Sequence, residues 1–128
     1  MQKLVHVTYY IKIVTNNQWS QFPEMLIYFE LEYPQFVKFE YQTTVQADKT
    51  GYTMTRLIVD GKEESLFRAM ESTDNYYRTN QNRGKVWLKK GKHWARVDYR
   101  SYSYPSPYII LYKDGSDYQA NYFRASYY

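Results

Sequence analysis

The residues best equipped for chemistry lie between positions 83 and 100. Arg83, Lys85, Lys89, Lys90, Lys92, Arg96 and Arg100 fall there against a single acid, Asp98. Trp87 and Trp94 sit among them, and Tyr102 and Tyr104 follow. Cations beside flat rings can pair with oxyanions while the rings stack on bases or sugars. The stretch therefore suits single-stranded nucleic acid, sulfated or acidic glycans, and an acidic surface on a second subunit. A solvated charged face that keeps a strand from pairing wrongly has the same composition. The whole chain carries a formal charge of +4, but Glu24, Glu30, Glu32 and Glu40 dominate its early part. Two surfaces of opposite sign could steer an anionic partner, or each other.

Catalysis is not expected. His6 and His93 are the two histidines, on separate predicted strands, and a zinc site needs about three or four convergent ligands. They read as ordinary strand histidines. No serine or threonine sits in a nucleophile elbow, and the five glycines lie at or beside turns. Glu63 and Glu64 are adjacent on a strand, so they point to opposite faces and make poor partners for glycoside hydrolysis. Asp114-Gly115-Ser116-Asp117 offers a few oxygens where calcium takes about six to eight, and reads as a hairpin tip. With no cysteine, a disulfide scaffold and thiolate metal sites are excluded. No cofactor is expected.

Strands must position these groups. Tyrosine accounts for 17 of 128 residues and aromatics for 20%, and such side chains pack well on a pleated surface. Alternation is the main signal. Val5, Val7, Tyr9, Ile11 and Ile13 share one face of a strand over 3–14. After Pro23, Met25, Ile27, Phe29 and Leu31 face one way, with Tyr28, Glu30 and Glu32 opposite. Val37, Phe39, Tyr41, Thr43 and Val45 face inward on the next strand, with Lys38, Glu40 and Gln42 outward. Asp48-Lys49-Thr50-Gly51 reads as a turn, and Asp60-Gly61 as a strong hairpin turn between 52–60 and 65–70. A short helix over 63–72 is the alternative there. Residues 71–84 read as a long polar loop with a short strand near Tyr76-Tyr77. Val86 and Leu88 begin a hairpin that turns at Lys90-Gly91-Lys92, with Arg96 and Arg100 outward on its return. The prolines of 101–107 argue against a central strand. Residues 108–113 and 118–126 flank Asp114-Gly115 as a last hairpin. The sum is a single all-β domain over 1–128: an antiparallel, jelly-roll-like sandwich of about nine or ten strands.

Four segments carry a resemblance: Trp19 to Met25 (W-S-Q-F-P-E-M), Val37 to Thr43 (V-K-F-E-Y-Q-T), Thr55 to Gly61 (T-R-L-I-V-D-G) and Val86 to Arg100 (V-W-L-K-K-G-K-H-W-A-R-V-D-Y-R). Over 19–100 the chain resembles extracellular jelly-roll modules of invertebrates in the style of tumour necrosis factor and complement globular heads. The Asp60-Gly61 turn and Leu88, Gly91 and His93 also resemble protective-antigen-type lectin sandwiches. These resemblances imply a non-enzymatic module that forms oligomers or polymers, or binds glycans.

The tyrosines divide by position. Tyr108, Tyr112, Tyr118 and Tyr122 read as inward strand residues. Tyr102, Tyr104, Tyr127 and Tyr128 read as contacts to another subunit, since tyrosine serves interfaces and sugar stacking. Together with Trp87, Trp94, Lys89, Lys90, Lys92, Arg96 and Arg100 they form the candidate contact set. The first expectation is an extracellular structural or adhesive module that self-associates into an oligomer or filament. A lectin-like glycan binder is the alternative, and a nucleic-acid binder using the hairpin 83–100 a second. No leader and no transmembrane segment is visible, so an intracellular location stays open.

Overall fold

Alternating sequence becomes two facing antiparallel sheets. The computed structural model describes residues 2–6, 11–14, 17–47, 50–73, 78–104, 108–111 and 121–128. The described residues form ten strand segments: β1 (Gln2–His6), β2 (Ile11–Val14), β3 (Ser20–Leu31), β4 (Gln35–Ala47), β5 (Thr50–Val59), β6 (Lys62–Thr73), β7 (Arg78–Leu88), β8 (Gly91–Tyr104), β9 (Tyr108–Leu111) and β10 (Tyr122–Ser126). The first sheet holds β1, β2, β4, β7, β9 and β10; the second runs β3-β8-β5-β6. No helix occurs among the described residues, so the helical alternative for 63–72 gives way to β6, which pairs with β5.

The registers reduce the ten segments to eight strand positions. Gln42 pairs with both Gln81 and Tyr122, and Val45 with both Arg78 and Leu111. Since β7 takes one edge of β4, β9 and β10 lie end to end along the other. β1 and β2 lie end to end outside them. The first sheet is thus four positions wide, like the second. Asn121 stands at the join, where its buried Oδ1 accepts from the Thr44 backbone N–H at 2.7 Å. That bond satisfies a donor that would otherwise be stranded between two ladders.

Several expectations are corrected here. Residues 83–100 are not a hairpin: β7 pairs with β4, β8 pairs with β3 and β5, and Lys89 and Lys90 carry the chain between sheets. Gly91, at φ +128°, supplies the conformation the crossing needs. The last hairpin is likewise absent, since β9 and β10 do not pair; Tyr112, Tyr118 and Asp114-Gly115-Ser116-Asp117 lie outside the described residues. The polar run expected as a loop belongs instead to β6 and to β7, an edge strand whose backbone pairing with β4 needs no apolar side chains; Tyr76 and Tyr77 are outside the described residues. Residues 101–104 continue β8 against β5, because both prolines come later. β3 begins before Pro23 and absorbs it in a bulge between Gln21 and Leu26, with Glu24 at φ +65°. The Asp60-Gly61 turn is as expected: φ values of +51° and +86° close a two-residue hairpin between Val59 and Lys62.

The core lies between the sheets. Phe22, Met25, Ile27, Phe29, Leu31, Leu57, Val59, Ala95 and Val97 come from the second sheet; Val37, Phe39, Tyr41, Phe123 and Ala125 meet them from the first. Phe29 and Phe39 meet edge to face at 6.0 Å between ring centres. The buried Tyr41 hydroxyl shares a 2.9 Å hydrogen bond with Thr55 Oγ1 across the gap, so its polar tip is satisfied.

Candidate functional site

The two outer faces carry different chemistry. On the second sheet, β8 buries Ala95, Val97, Tyr99 and Ser101, which turns Trp94, Arg96, Asp98 and Arg100 outward. Asp98 is nonetheless only 2% exposed, because two arginines cover it. Arg56 donates Nε–H and Nη2–H to its Oδ2, both at 3.2 Å, and Arg96 donates Nε–H to Oδ1 at 2.8 Å. One carboxylate thereby fixes two guanidiniums, and the trio keeps a net positive charge. Trp19 stacks under the Arg56 guanidinium at 4.2 Å, and Arg96 lies 5.4 Å from the Trp94 ring. Arg100 donates to Asn17 Oδ1 at 3.0 Å, which also accepts from the Tyr52 hydroxyl at 3.0 Å. Tyr28, 68% exposed, stands opposite Trp94 in the β3–β8 register.

At the end of this face a shallow depression is lined by Tyr28, Phe29, Glu30, Lys92 and His93. His93 stacks on Phe29 at 5.5 Å between ring centres with the planes inclined by 30°, its Nδ1 2.6 Å from Asp60 Oδ2 and its Nε2 2.7 Å from the Lys89 carbonyl. Burial pushes the imidazole pKa down, but the bonds to Asp60 and Lys89 outweigh it and hold the ring above its ordinary value.

The outer face of the first sheet has an aromatic end and a polar middle. Phe36 and Trp87, paired in register and packed edge to face at 5.0 Å, are 57% and 56% exposed. The Gln35 amide bonds the backbone of Tyr128 in both directions, at 3.0 and 2.8 Å, which ties that 92% exposed residue to the same end of β4. Exposed Tyr33 stands on the β3–β4 turn at the same end. In the middle, buried Glu40 accepts from the Tyr122 hydroxyl at 2.5 Å and from Arg124 Nη2 at 2.8 Å, and Gln81 donates to Tyr122 at 3.0 Å. Burial raises the Glu40 pKa, yet these donors outweigh it and leave the carboxyl below its ordinary value.

The candidate set is therefore divided. Trp94, Lys92, Arg96 and Arg100 lie with the second sheet; Trp87 lies on the first; exposed Lys89 and Lys90 stand at the crossing. The single basic hairpin offered to nucleic acid does not exist as one surface. Tyr127 is buried against Phe29 at 5.4 Å and leaves the contact set for the core. Tyr122 is buried as expected, but on the outer face with Glu40. The backbones of Tyr102, Tyr104 and Tyr108 are strand; their side chains, and that of His6, lie outside the described residues. Sequence reasoning missed Trp19 and Arg56. Arg56 had one signal, a lone charge inside the apolar run T-R-L-I-V.

No protein-family model and no curated protein matches the chain. Among solved structures, a tumour necrosis factor from S. frugiperda, Eiger, is similar with a TM-score of 0.56 and 9% identity, covering 98% of this chain and 90% of that one. The C-terminal domain of EclA, a sugar-binding protein, gives 0.47 and 14%, covering 81% and 74%. A β-glucosidase from Paenibacillus barengoltzii gives 0.40 and 8%, covering 88% of this chain and 10% of the enzyme. The last two overlap less completely and do not bear on this chain's ligands. The fold is a tumour necrosis factor-like jelly roll, and at 9% identity the likeness is one of fold alone. Among the described residues, no helix is long and apolar enough to cross a membrane.

Proposed function

We propose that the chain is a non-enzymatic, extracellular structural or adhesive module that self-associates through the aromatic end of its first sheet. The observation that carries this reading is the exposed Phe36–Trp87 pair, with Tyr33 and Tyr128 at the same end. Large rings left together in water mark a partner surface far more often than a solvated face. A second copy is the occupant the charges favour. Exposed Lys38, Arg83 and Lys85 flank the rings on β4 and on the edge strand β7, while Glu24 and Glu30 are exposed on the opposite sheet's edge strand β3, and Glu32 just beyond its end. A basic edge meeting an acidic edge is a head-to-tail contact, which closes into a ring or runs on as a filament.

Light scattering on a size-exclusion column tests this. The native protein is expected to elute as a defined oligomer or polymer. A Phe36→Ser/Trp87→Ser variant is expected to elute as a monomer with an unchanged β-type circular dichroism spectrum. A native protein that stays monomeric at high concentration overturns the reading.

A further inference from the structure

We propose that the outer face of the second sheet binds an anionic polysaccharide, pairing its sulfates or carboxylates with Arg56, Arg96 and Arg100. This goes beyond self-association and uses the opposite face of the sandwich.

The first argument is preorganisation. A free arginine loses side-chain freedom on binding an anion, and that loss opposes affinity. Here much of it is already spent. Asp98, buried beneath the face, grips Arg56 and Arg96 by their Nε–H groups, while the Trp19 ring backs the Arg56 guanidinium and the Trp94 ring lies beside that of Arg96. These bonds use Nε and Nη2 of Arg56 and only Nε of Arg96. The Nη groups left over are donors in a fixed plane, the arrangement that oxyanions accept.

The second argument is spacing. Arg96 and Arg100 are four residues apart on one face of β8, so their stems stand about 13 Å apart along the strand. One small anion cannot span that distance; a polymer with repeated charges can. The acids nearby are engaged or displaced from the track. Asp98 lies under the arginines, Asp60 is held by His93, Glu30 faces Lys92 at the far end, and Glu63 stands on β6 opposite Ile58.

The third argument separates sugar from nucleic acid. Single strands bind where successive bases find successive open rings. Among the described residues of this face, Trp19 and Trp94 are engaged by guanidiniums, Tyr52 is tied by its hydroxyl to Asn17, and Tyr28, opposite Trp94, stands clear. Among the described residues, one open platform flanked by anion donors fits a charged sugar chain better than a run of bases.

The test is titration calorimetry of the full chain at near-physiological salt, using a heparin octasaccharide, the same octasaccharide chemically desulfated, and single-stranded DNA of equal charge. Heparin is expected to bind, and the desulfated arm shows whether carboxylates suffice. Arg96→Ala is expected to weaken binding about tenfold, while Arg56 still pairs Asp98 and the fold survives. Arg96→Lys keeps the charge but loses the planar fork, and is expected to weaken it less than Arg96→Ala but measurably. Lys89→Gln/Lys90→Gln removes more charge from the sheet crossing and is expected to change little. Absence of heparin binding, equal losses from the lysine and arginine variants, or tighter binding of DNA than of heparin would each overturn the proposal. The Phe36→Ser/Trp87→Ser variant is expected to bind heparin as a monomer, so failure of self-association and failure of this site are read separately.

Discussion

Glu40 shows how one side chain can break the rule of its strand without breaking the fold. Alternation on β4 places it with Lys38 and Gln42 on the outer face, which was legible in the sequence. Its burial was not, because the groups that cover it, Tyr122 and Arg124, lie 82 and 84 positions away in the chain. The Glu40 pKa in the fold is below its unfolded value, so its stabilisation is present above the unfolded value near 4.5 and is lost as pH falls through the folded one. On the acid side, urea midpoints are expected to fall below about pH 5. Glu40→Gln should cost about 1–3 kcal/mol at neutral pH and flatten that acid limb. An acid limb of unchanged steepness in the variant would remove Glu40 from this role. The Arg–Asp–Arg trio follows the same pattern: Arg96 was visible as an outward cation, while Arg56 and Trp19 were not, since contacts across strands leave no periodic trace along the chain.

At the scale of elements, the crossing between β7 and β8 is where reading from sequence failed most. Lys89-Lys90-Gly91 is as good a hairpin turn as it is a passage from one sheet to the other. Local chemistry fixes the bend and does not choose the partner strand. His93 joins this crossing to the β5–β6 turn through Lys89 and Asp60. Both partners are acceptors, so the ring serves both fully only when doubly protonated. The folded pKa is raised, so this contribution is complete below the unfolded value near 6.5 and is lost as pH climbs through the folded value. Thermal midpoints of the native chain are expected to fall from pH 6 to pH 8. His93→Ala is expected to lose about 1 kcal/mol at pH 6 and to show a flatter profile. A variant that retains the native slope would place the titration elsewhere. The slope runs opposite to that of Glu40, so the two groups together set a stability maximum between them.

For the whole molecule, the sandwich itself was legible because each half-buried strand advertises its inner face: Met25 to Leu31 and Val37 to Tyr41 needed no partner to be recognised. The reduction of ten segments to eight positions was hidden, because it rests on which residues of β4 share partners on both edges. The two sheets are held by rings that meet between them, and Phe29 meets three of them, Phe39, His93 and Tyr127. Phe29→Ala is expected to cost about 3–5 kcal/mol in denaturant unfolding, and a loss below about 1 kcal/mol would mean the sheets do not depend on this seam. The pairing of β1 with β10 has a temporal consequence. Gln2 meets Ser126 and His6 meets Tyr122, so the first sheet unites residues synthesised at opposite ends of this stretch. Such distant pairings slow folding, because the loop must close before any contact rewards it. The second sheet, by contrast, is complete once β8 has left the ribosome. During synthesis the arginine face can therefore be finished while β4 and β7 still wait for β9 and β10, with an unpaired edge of β4 exposed until the last strand arrives.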